Sequence, residues 1–297
     1  MDILSCLLHF DRFGDSILKL VRYGKAGSEK PGIIDANGNI RDLSAHIHDV
    51  AGEAISPHSL AKLAKLKVGD LPLVSGNPRL GPCVSGTGKF ICIGLNYADH
   101  AAESGMAVPP EPVIFMKATS AIVGPCDDVE IPRKSVKTDW EVELGVIIGS
   151  HAKYVTEENA MDHVAGFCVI NDLSEREFQI ERSGQWTKGK SADTFGPTGP
   201  WLVTKDEIAD PQNLKMWLEV NGKRYQNGST ATMVYGVKFL VAYLSQFMSL
   251  HPGDIISTGT PPGVGMGQKP PHYLKAGDVM ELGIEGLGRQ RQVTKAG

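Results

Sequence analysis

Asp139-Trp-Glu-Val-Glu-Leu-Gly-Val-Ile-Ile-Gly149 is the stretch whose reading decides the fold. It is β-branched and apolar, which predicts a strand. Side chains at i and i+2 of a strand share a face. Glu141 and Glu143 therefore project together, while Trp140, Val142 and Leu144 point the other way. A second apolar run, Ala165-Gly-Phe-Cys-Val-Ile-Asn-Asp172, ends on a third carboxylate. Two carboxylates held side by side repel each other unless a cation or a proton lies between them. Glu141, Glu143 and Asp172 at the mouths of neighbouring strands would form an all-oxygen site suited to Mg²⁺, with Mn²⁺ or Ca²⁺ as alternatives. A Glu-x-Glu pair met alone is more often the solvated face of an amphipathic strand. Here its surroundings argue otherwise.

Working outward, short apolar strands are predicted at Phe90 to Ile93, Val113 to Lys117, Ala121 to Val123, Trp140 to Ile148 and Gly166 to Asn171. Others follow at Met216 to Val220, Asp254 to Ser257 and Val279 to Ile284. Leu18 to Tyr23 alternates as a strand, and Asn37-Gly38 and Asn221-Gly222 are hairpin turns. Helical spacing runs through Arg41 to Lys67, Leu173 to Gln185 and Val237 to Met248. The Pro-, Gly- and Ser-rich segment from Leu71 to Gly88 reads as a linker. The fold class is thus α+β and mainly β: a small N-terminal α+β domain over 18–75, then a β-sandwich or roll over 89–297.

The chain has 297 residues, 41% hydrophobic and 22% charged, with a formal net charge of −4. That is enough to bury a core, and it leaves no basic footprint for nucleic acid. The sequence has no run of eighteen apolar residues, so no membrane span is expected. The five cysteines show no CxxC spacing, which suits a reducing, cytoplasmic setting. The first residues, Met-Asp-Ile-Leu-Ser-Cys-Leu-Leu, lack a basic region and read as a short extension rather than a leader.

Two glycine-rich stretches imitate nucleotide loops. Gly184-Gln-Trp-Thr-Lys-Gly-Lys-Ser191 satisfies GxxxxGK[ST]. It lacks the preceding apolar strand, and Gly196-Pro197 forbids a long helix after it. Gly263-Val-Gly-Met-Gly267 likewise has no helix to hold a pyrophosphate.

Five motifs stand in order along the chain. They are Gly94-Leu-Asn-Tyr-Ala-Asp-His-Ala-Ala-Glu103, Pro112-Val-Ile-Phe-Met-Lys117 and Asp172-Leu-Ser-Glu-Arg-Glu-Phe-Gln179, then Lys188-Gly-Lys-Ser-Ala-Asp-Thr-Phe-Gly-Pro-Thr-Gly-Pro200 and Ser257-Thr-Gly-Thr-Pro-Pro-Gly-Val-Gly265. From about Phe90 to the C-terminus the chain resembles the fumarylacetoacetate hydrolase family, closest to its bacterial 2,4-diketo-3-deoxy-sugar-acid hydrolase and ureidoglycolate lyase-like members. The resemblance implies a mixed β-roll catalytic domain, a homodimer and a small oxo-acid substrate. It implies a divalent metal, above all Mg²⁺, on Glu141, Glu143 and Asp172.

Lys190, rather than its neighbour Lys188, aligns with the family's lysine and would stabilise oxyanion charge. His100 and Glu103, one helical turn apart, would activate water from a mobile lid between Gly94 and Pro110. Arg176, Gln179, Thr260 and, more weakly, Tyr97 and Lys117 would contact substrate, with Asp139 behind them. The implied reaction is hydrolysis of a carbon–carbon bond in a diketo or 2-oxo acid. Decarboxylation, tautomerisation or ureidoglycolate lyase chemistry could use the same site, and a binding protein with a vestigial site is the alternative outside catalysis.

Overall fold

In the computed structural model, residues 18–297 are described, apart from Ser104 and Met106. The expected N-terminal extension lies outside the described residues. The first strands are β1 (Lys19–Tyr23), β2 (Lys30–Ile34), β3 (Ile40–Asp42), β4 (Phe90–Gly94), β5 (Val113–Lys117) and β6 (Ile122–Val123). Next come β7 (Val129–Ile131), β8 (Thr138–Asp139), β9 (Val142–Ile148), β10 (Val164–Asn171), β11 (Ser174–Glu175) and β12 (Gly196–Thr204). The last five are β13 (Lys215–Val220), β14 (Lys223–Ser229), β15 (Ile255–Ser257), β16 (Val279–Ile284) and β17 (Gly288–Ala296). Helices α1 (Pro57–Leu63), α2 (Ala98–Glu103), α3 (Thr187–Lys190) and α4 (Val237–Phe247) are interspersed.

A ten-stranded mixed sheet runs β3-β2-β1-β12-β10-β9-β15-β4-β5, with β6 added in parallel to β12. A five-stranded sheet, β14-β13-β16-β17-β7, packs against it, and β8 and β11 form a separate pair. The expected α+β, mainly β class is what the chain adopts. Alternation along β9 explains the layers. Val142, Leu144, Val146 and Ile148 enter the core shared by the two sheets, with Trp140, Leu218, Met280 and Leu282. Ile147 enters a second core on the other face, with Phe90, Cys168, Ile170 and Ile255. Leu60 and Leu63 of α1 close that second core.

The N-terminal hairpin extends the large sheet, since β1 pairs with β12 through Lys19↔Val203 and Leu20↔Leu202. The segment expected as a linker is tied back onto β1. The Gly24 amide donates to Arg79 O and the Gly81 amide to Arg22 O, both at 2.8 Å.

Two local readings are corrected, and one strand was not foreseen. Helical spacing from Arg41 to Lys67 yields only α1 and short 3₁₀ turns, with Ser56 capping α1 through its hydroxyl. Leu173 to Gln185 is no continuous helix. It is β11, then one π-helical turn over Glu177–Glu181, and it stops where Ser183 (φ 64°) and Gly184 (φ 65°) turn left-handed. Gly196-Pro-Thr-Gly-Pro200, read only as forbidding a long helix, lies inside β12, between β1 and β10. The prolines are tolerated because the ladder bulges there: Phe167 faces Val203 and Val169 faces Gly199, leaving three β12 residues opposite Cys168. The Gln290 side-chain amide supplies donors that proline lacks, reaching Val169 O at 2.7 Å and Gly199 O at 3.2 Å.

Candidate active site

β9 and β10 run antiparallel with Glu143 opposite Ile170 and Val142 opposite Asn171. This register brings Glu141, just ahead of β9, beside Asp172, just past β10, and the Asp172 amide donates to Glu141 O at 2.9 Å. Glu141, Glu143 and Asp172 are all buried, and one carboxylate oxygen from each lies within 4.8 Å of the others. Oxygens sharing one hard cation lie no more than about 4 Å apart around Mg²⁺ and about 5 Å apart around Ca²⁺, and small side-chain shifts can supply the contraction that Mg²⁺ requires. Glu143 is aimed by its neighbours. Its Oε2 accepts from Ser257 Oγ at 2.6 Å and from the Gly259 amide at 2.9 Å. Its other oxygen has no hydrogen bond among the described residues. The donor set therefore fits a divalent cation.

Two lysines reach the same carboxylates. Lys190 Nζ donates to Glu141 Oε2 at 2.6 Å and to Asp172 Oδ2 at 2.9 Å. Lys117 Nζ donates to Asp172 Oδ1, and to Leu173 O at 2.9 Å. Burial alone would raise the Glu141 pKa, but Lys190 and Arg176 overcome it and hold the group below the usual carboxylate range. Glu143 goes the opposite way. Burial raises it, and the repulsion of Asp172 and Glu141 raises it further. Lys190 would be lowered by burial, but Asp172 and Glu141 keep it protonated with a raised pKa.

Arg176 stands at the start of the π-helical turn. Nε donates to Asp139 Oδ2 at 2.8 Å and Nη1 to Gln179 Oε1 at 3.1 Å. Nη2 lies 2.8 Å from Glu141 Oε1 without the alignment of a hydrogen bond, and it remains a buried donor without a hydrogen-bond partner. Neither Glu175 nor Glu177 competes for the guanidinium. Asp139 holds the Gly265–Met266 loop as well, accepting from those amides at 2.6 and 2.9 Å.

His100 and Glu103 meet across one turn of α2, with Nδ1 and Oε2 3.3 Å apart. Both Glu103 oxygens also accept from the Gly263 amide at 3.0 Å. Burial tends to raise the Glu103 pKa, but His100 and Gly263 win and lower it.

A cavity of about 40 Å³ opens between these elements, room for roughly three water-sized groups. His100, Glu141, Glu143, Arg176, Gln179, Lys190 and Thr260 line it. Asp172 and Glu103 support the lining through their bonds to Lys190 and His100. Thr260 has its hydroxyl engaged, donating to Val142 O at 2.9 Å and accepting from Gln226 at 2.7 Å. Tyr97 does not reach the cavity. It is fully buried in the core, and its hydroxyl points to Met216 Sδ at 3.3 Å.

Lys117, expected as one of the weaker substrate contacts, is not among the residues that line the cavity and instead bonds Asp172. Sequence reasoning did not single out Ser257 or Trp186. The Ser-Thr-Gly-Thr run after a predicted strand was the signal for Ser257. The phosphate-loop look-alike has a packing origin. A Cβ on Gly189 would lie 2.4 Å from Glu175 O and 2.5 Å from the Gln179 amide nitrogen. Glycine there lets α3 seat against the π-helical turn and carry Lys190 inward.

The Fumarylacetoacetate (FAA) hydrolase C-terminal family matches residues 89–294. A Burkholderia multivorans protein, named only provisionally as a hydrolase, is 66% identical over 94% of this chain and 99% of its own. The fumarylacetoacetate hydrolase of psychrophilic Exiguobacterium antarcticum superposes with a TM-score of 0.82 at 36% identity, over 94% of this chain and 100% of that one. A maleylpyruvate hydrolase from Sphingobium sp. SYK-6, solved with manganese(II) and pyruvate, superposes at 0.78 with 27% identity, over 94% and 99%. Five sequence motifs, a shared architecture and these matches have one explanation: the chain belongs to the fumarylacetoacetate hydrolase family.

Proposed function

We propose that this chain is a divalent-metal-dependent hydrolase that cleaves a carbon–carbon bond in an acylpyruvate-type 2,4-dioxo acid, with Mg²⁺ as its usual ion. The observation that carries this is the placing of three buried carboxylates within 4.8 Å of one another in a cavity that His100 also lines. Glu141, Glu143 and Asp172 would hold the ion. When bound, it supplies Lewis-acid polarisation of a chelated carbonyl and charge stabilisation for the enolate that departs. Arg176 Nη2, which has an ion-pair contact with Glu141 but no hydrogen bond, would orient the substrate carboxylate together with Gln179. His100 Nε2 would take a proton from water attacking the distal carbonyl. Glu103 would fix the ring through Nδ1 and stabilise the imidazolium. Lys190 would offset oxyanion charge as the bond breaks.

The His–Glu pair favours hydrolysis over decarboxylation, which needs neither a water nucleophile nor a base. A vestigial binding site would have no reason to keep this many charges buried, because unpaired or imperfectly paired buried ions are costly. The test is turnover of several acylpyruvates with Mg²⁺ or Mn²⁺ and its arrest by chelator. Failure to cleave any of them with either ion would refute the proposal.

A further inference from the structure

The segment that carries His100 leaves the large sheet at the end of β4 and rejoins it at β5. Both of its ends are fastened to Tyr235, a residue that does not line the cavity. At the upstream end the tie is made by main chain. The Asn96 side-chain amide donates to Tyr235 O at 3.0 Å, and its oxygen accepts from the Tyr235 amide at 2.8 Å. The Val234 amide donates to Asn96 O at 2.8 Å, and Tyr97 forms an antiparallel bridge with Met233. Asn96 also donates to Thr258 O at 2.7 Å, beside the Gly259 amide that aims Glu143. Trp186, which lines the cavity, covers the start of the segment: a Cβ on Gly94 would come within 2.4 Å of its Cζ3.

At the downstream end the tie is made by side chain. The Tyr235 hydroxyl donates to Pro109 O at 2.8 Å. Farther along α4, the Tyr243 hydroxyl donates to Glu111 Oε2 at 2.6 Å. Phe239 stacks between the two tyrosines, with centroids 5.1 Å from Tyr235 and 5.6 Å from Tyr243 and interplanar angles of 22° and 16°. Residues four apart share one helix face, so the stack steadies both hydroxyls against the same stretch of chain. The ends of the excursion from Asn96 to Pro109 thus close on one residue, as in an Ω-loop. α2 lies inside it, and the bonds from the Gly263 amide to Glu103 hold α2 at a third point.

We propose that Tyr235 is a positioning residue for the general base: its hydroxyl, by fixing Pro109 relative to the anchor at Asn96, sets where α2 holds His100 in the cavity. This rests on the role proposed for His100. Tyr235 itself touches neither the carboxylates nor the imidazole, so it acts through the segment that it closes.

Tyr235→Phe removes the hydroxyl and keeps the ring and the main-chain bonds to Asn96. A misplacement of 1 Å can cost about a hundredfold, so loss of one anchor among several should lower kcat for acylpyruvate hydrolysis by roughly tenfold. KM, Mn²⁺ affinity in calorimetry and oxaloacetate decarboxylation, which needs no base, should change by less than about twofold. A change that merely loosened the fold would lower both activities together. Equal losses, or undiminished hydrolysis, would overturn the proposal. Amide hydrogen exchange gives a reading that needs no turnover. In Tyr235→Phe, residues Ala98–Glu103 should exchange faster than in wild type while β9 and β10 keep their protection. That pattern supports the anchoring even if wild type cleaves no acylpyruvate, an outcome that would refute the proposed reaction alone. Unchanged exchange in α2 sinks the anchoring itself.

Discussion

Lys190 Nζ donates to Glu141 Oε2 across 2.6 Å, with both side chains almost fully buried. The ammonium thus occupies one flank of a carboxylate that would also serve as a metal ligand. Lysine and ion compete for the charge of Glu141 and Asp172, so removing the lysine should separate catalysis from metal binding. In Lys190→Met, kcat/KM should fall by roughly 10²–10³, the cost of losing one oxyanion-stabilising group. Mn²⁺ affinity measured by calorimetry should stay level or rise. Without metal the variant should melt earlier, and Mn²⁺ should recover the loss. Parallel loss of metal affinity and turnover would show that Lys190 merely holds the site together.

Glu143 makes the complementary case. Ser257 and Gly259 both bond its Oε2, so its orientation is set independently of Glu141 and Asp172. Glu143→Gln removes one anionic ligand and also relieves the repulsion that raises the Glu143 pKa. The metal-free protein should therefore be no less stable than wild type, while Mn²⁺ affinity drops at least about tenfold. Unchanged affinity in calorimetry would remove Glu143 from the ligand set.

Much of the site was legible because strand periodicity is a strong signal. Glu141 and Glu143 share a face, and Val142 and Leu144 enter the opposite core. The segment after Asp172 was less legible. Arg176 and Gln179 were expected to meet on a helix. They do meet, at 3.1 Å, but on a π-helical turn that local propensity does not distinguish from an α-helix. β12 was invisible as a strand because Pro197 and Pro200 oppose that assignment. Only the distant Gln290 amide makes it workable. Lys117 looked like the end of an ordinary strand, and its burial on Asp172 depends on β5 lying at the sheet edge beside β4. Trp186 was read only as part of a nucleotide-loop imitation, since nothing local announces its contact with Gly94.

The N-terminal hairpin should be the acid-sensitive part of the sheet. Arg22 pairs with Asp49 at 2.7 Å and with Glu29 at 3.3 Å, and Arg79 joins Glu29 at 2.9 Å. Burial tends to raise the pKa values of Glu29 and Asp49. Hydrogen bonds from Arg79 to Glu29, and from Arg22 and Ser85 to Asp49, bring both below their ordinary range. For a depressed carboxylate the unfolded chain takes up its proton first. The stabilisation is therefore complete above the ordinary pKa of about 4 and is lost as pH falls through the lower folded values. Asp49→Asn should lose about 1–3 kcal/mol near pH 7, because Arg22 loses the closer of its two carboxylate partners. Its melting temperature should then fall less steeply than that of wild type between pH 5 and pH 3, in the ordinary carboxylate range. Parallel curves for the two proteins would show that these pairs do not govern acid stability.

His100 is the residue whose removal should separate hydrolysis from decarboxylation. Hydrolysis requires a water nucleophile and a base, and His100, steadied by Glu103 at 3.3 Å, is the imidazole lining the cavity. Decarboxylation of oxaloacetate requires only that the developing enolate be stabilised, which the ion and Lys190 can do without a base. His100→Ala should lower acylpyruvate cleavage by at least about a hundredfold, the usual contribution of a positioned general base. Oxaloacetate decarboxylation by the same variant should fall much less. Glu103→Gln should lie between, because it keeps the hydrogen bond to the ring and loses the charge that supports the imidazolium. The comparison uses one preparation of each variant, loaded with Mn²⁺ and assayed with both substrates. Equal loss of the two activities would assign His100 to positioning substrate or metal and withdraw the general-base role.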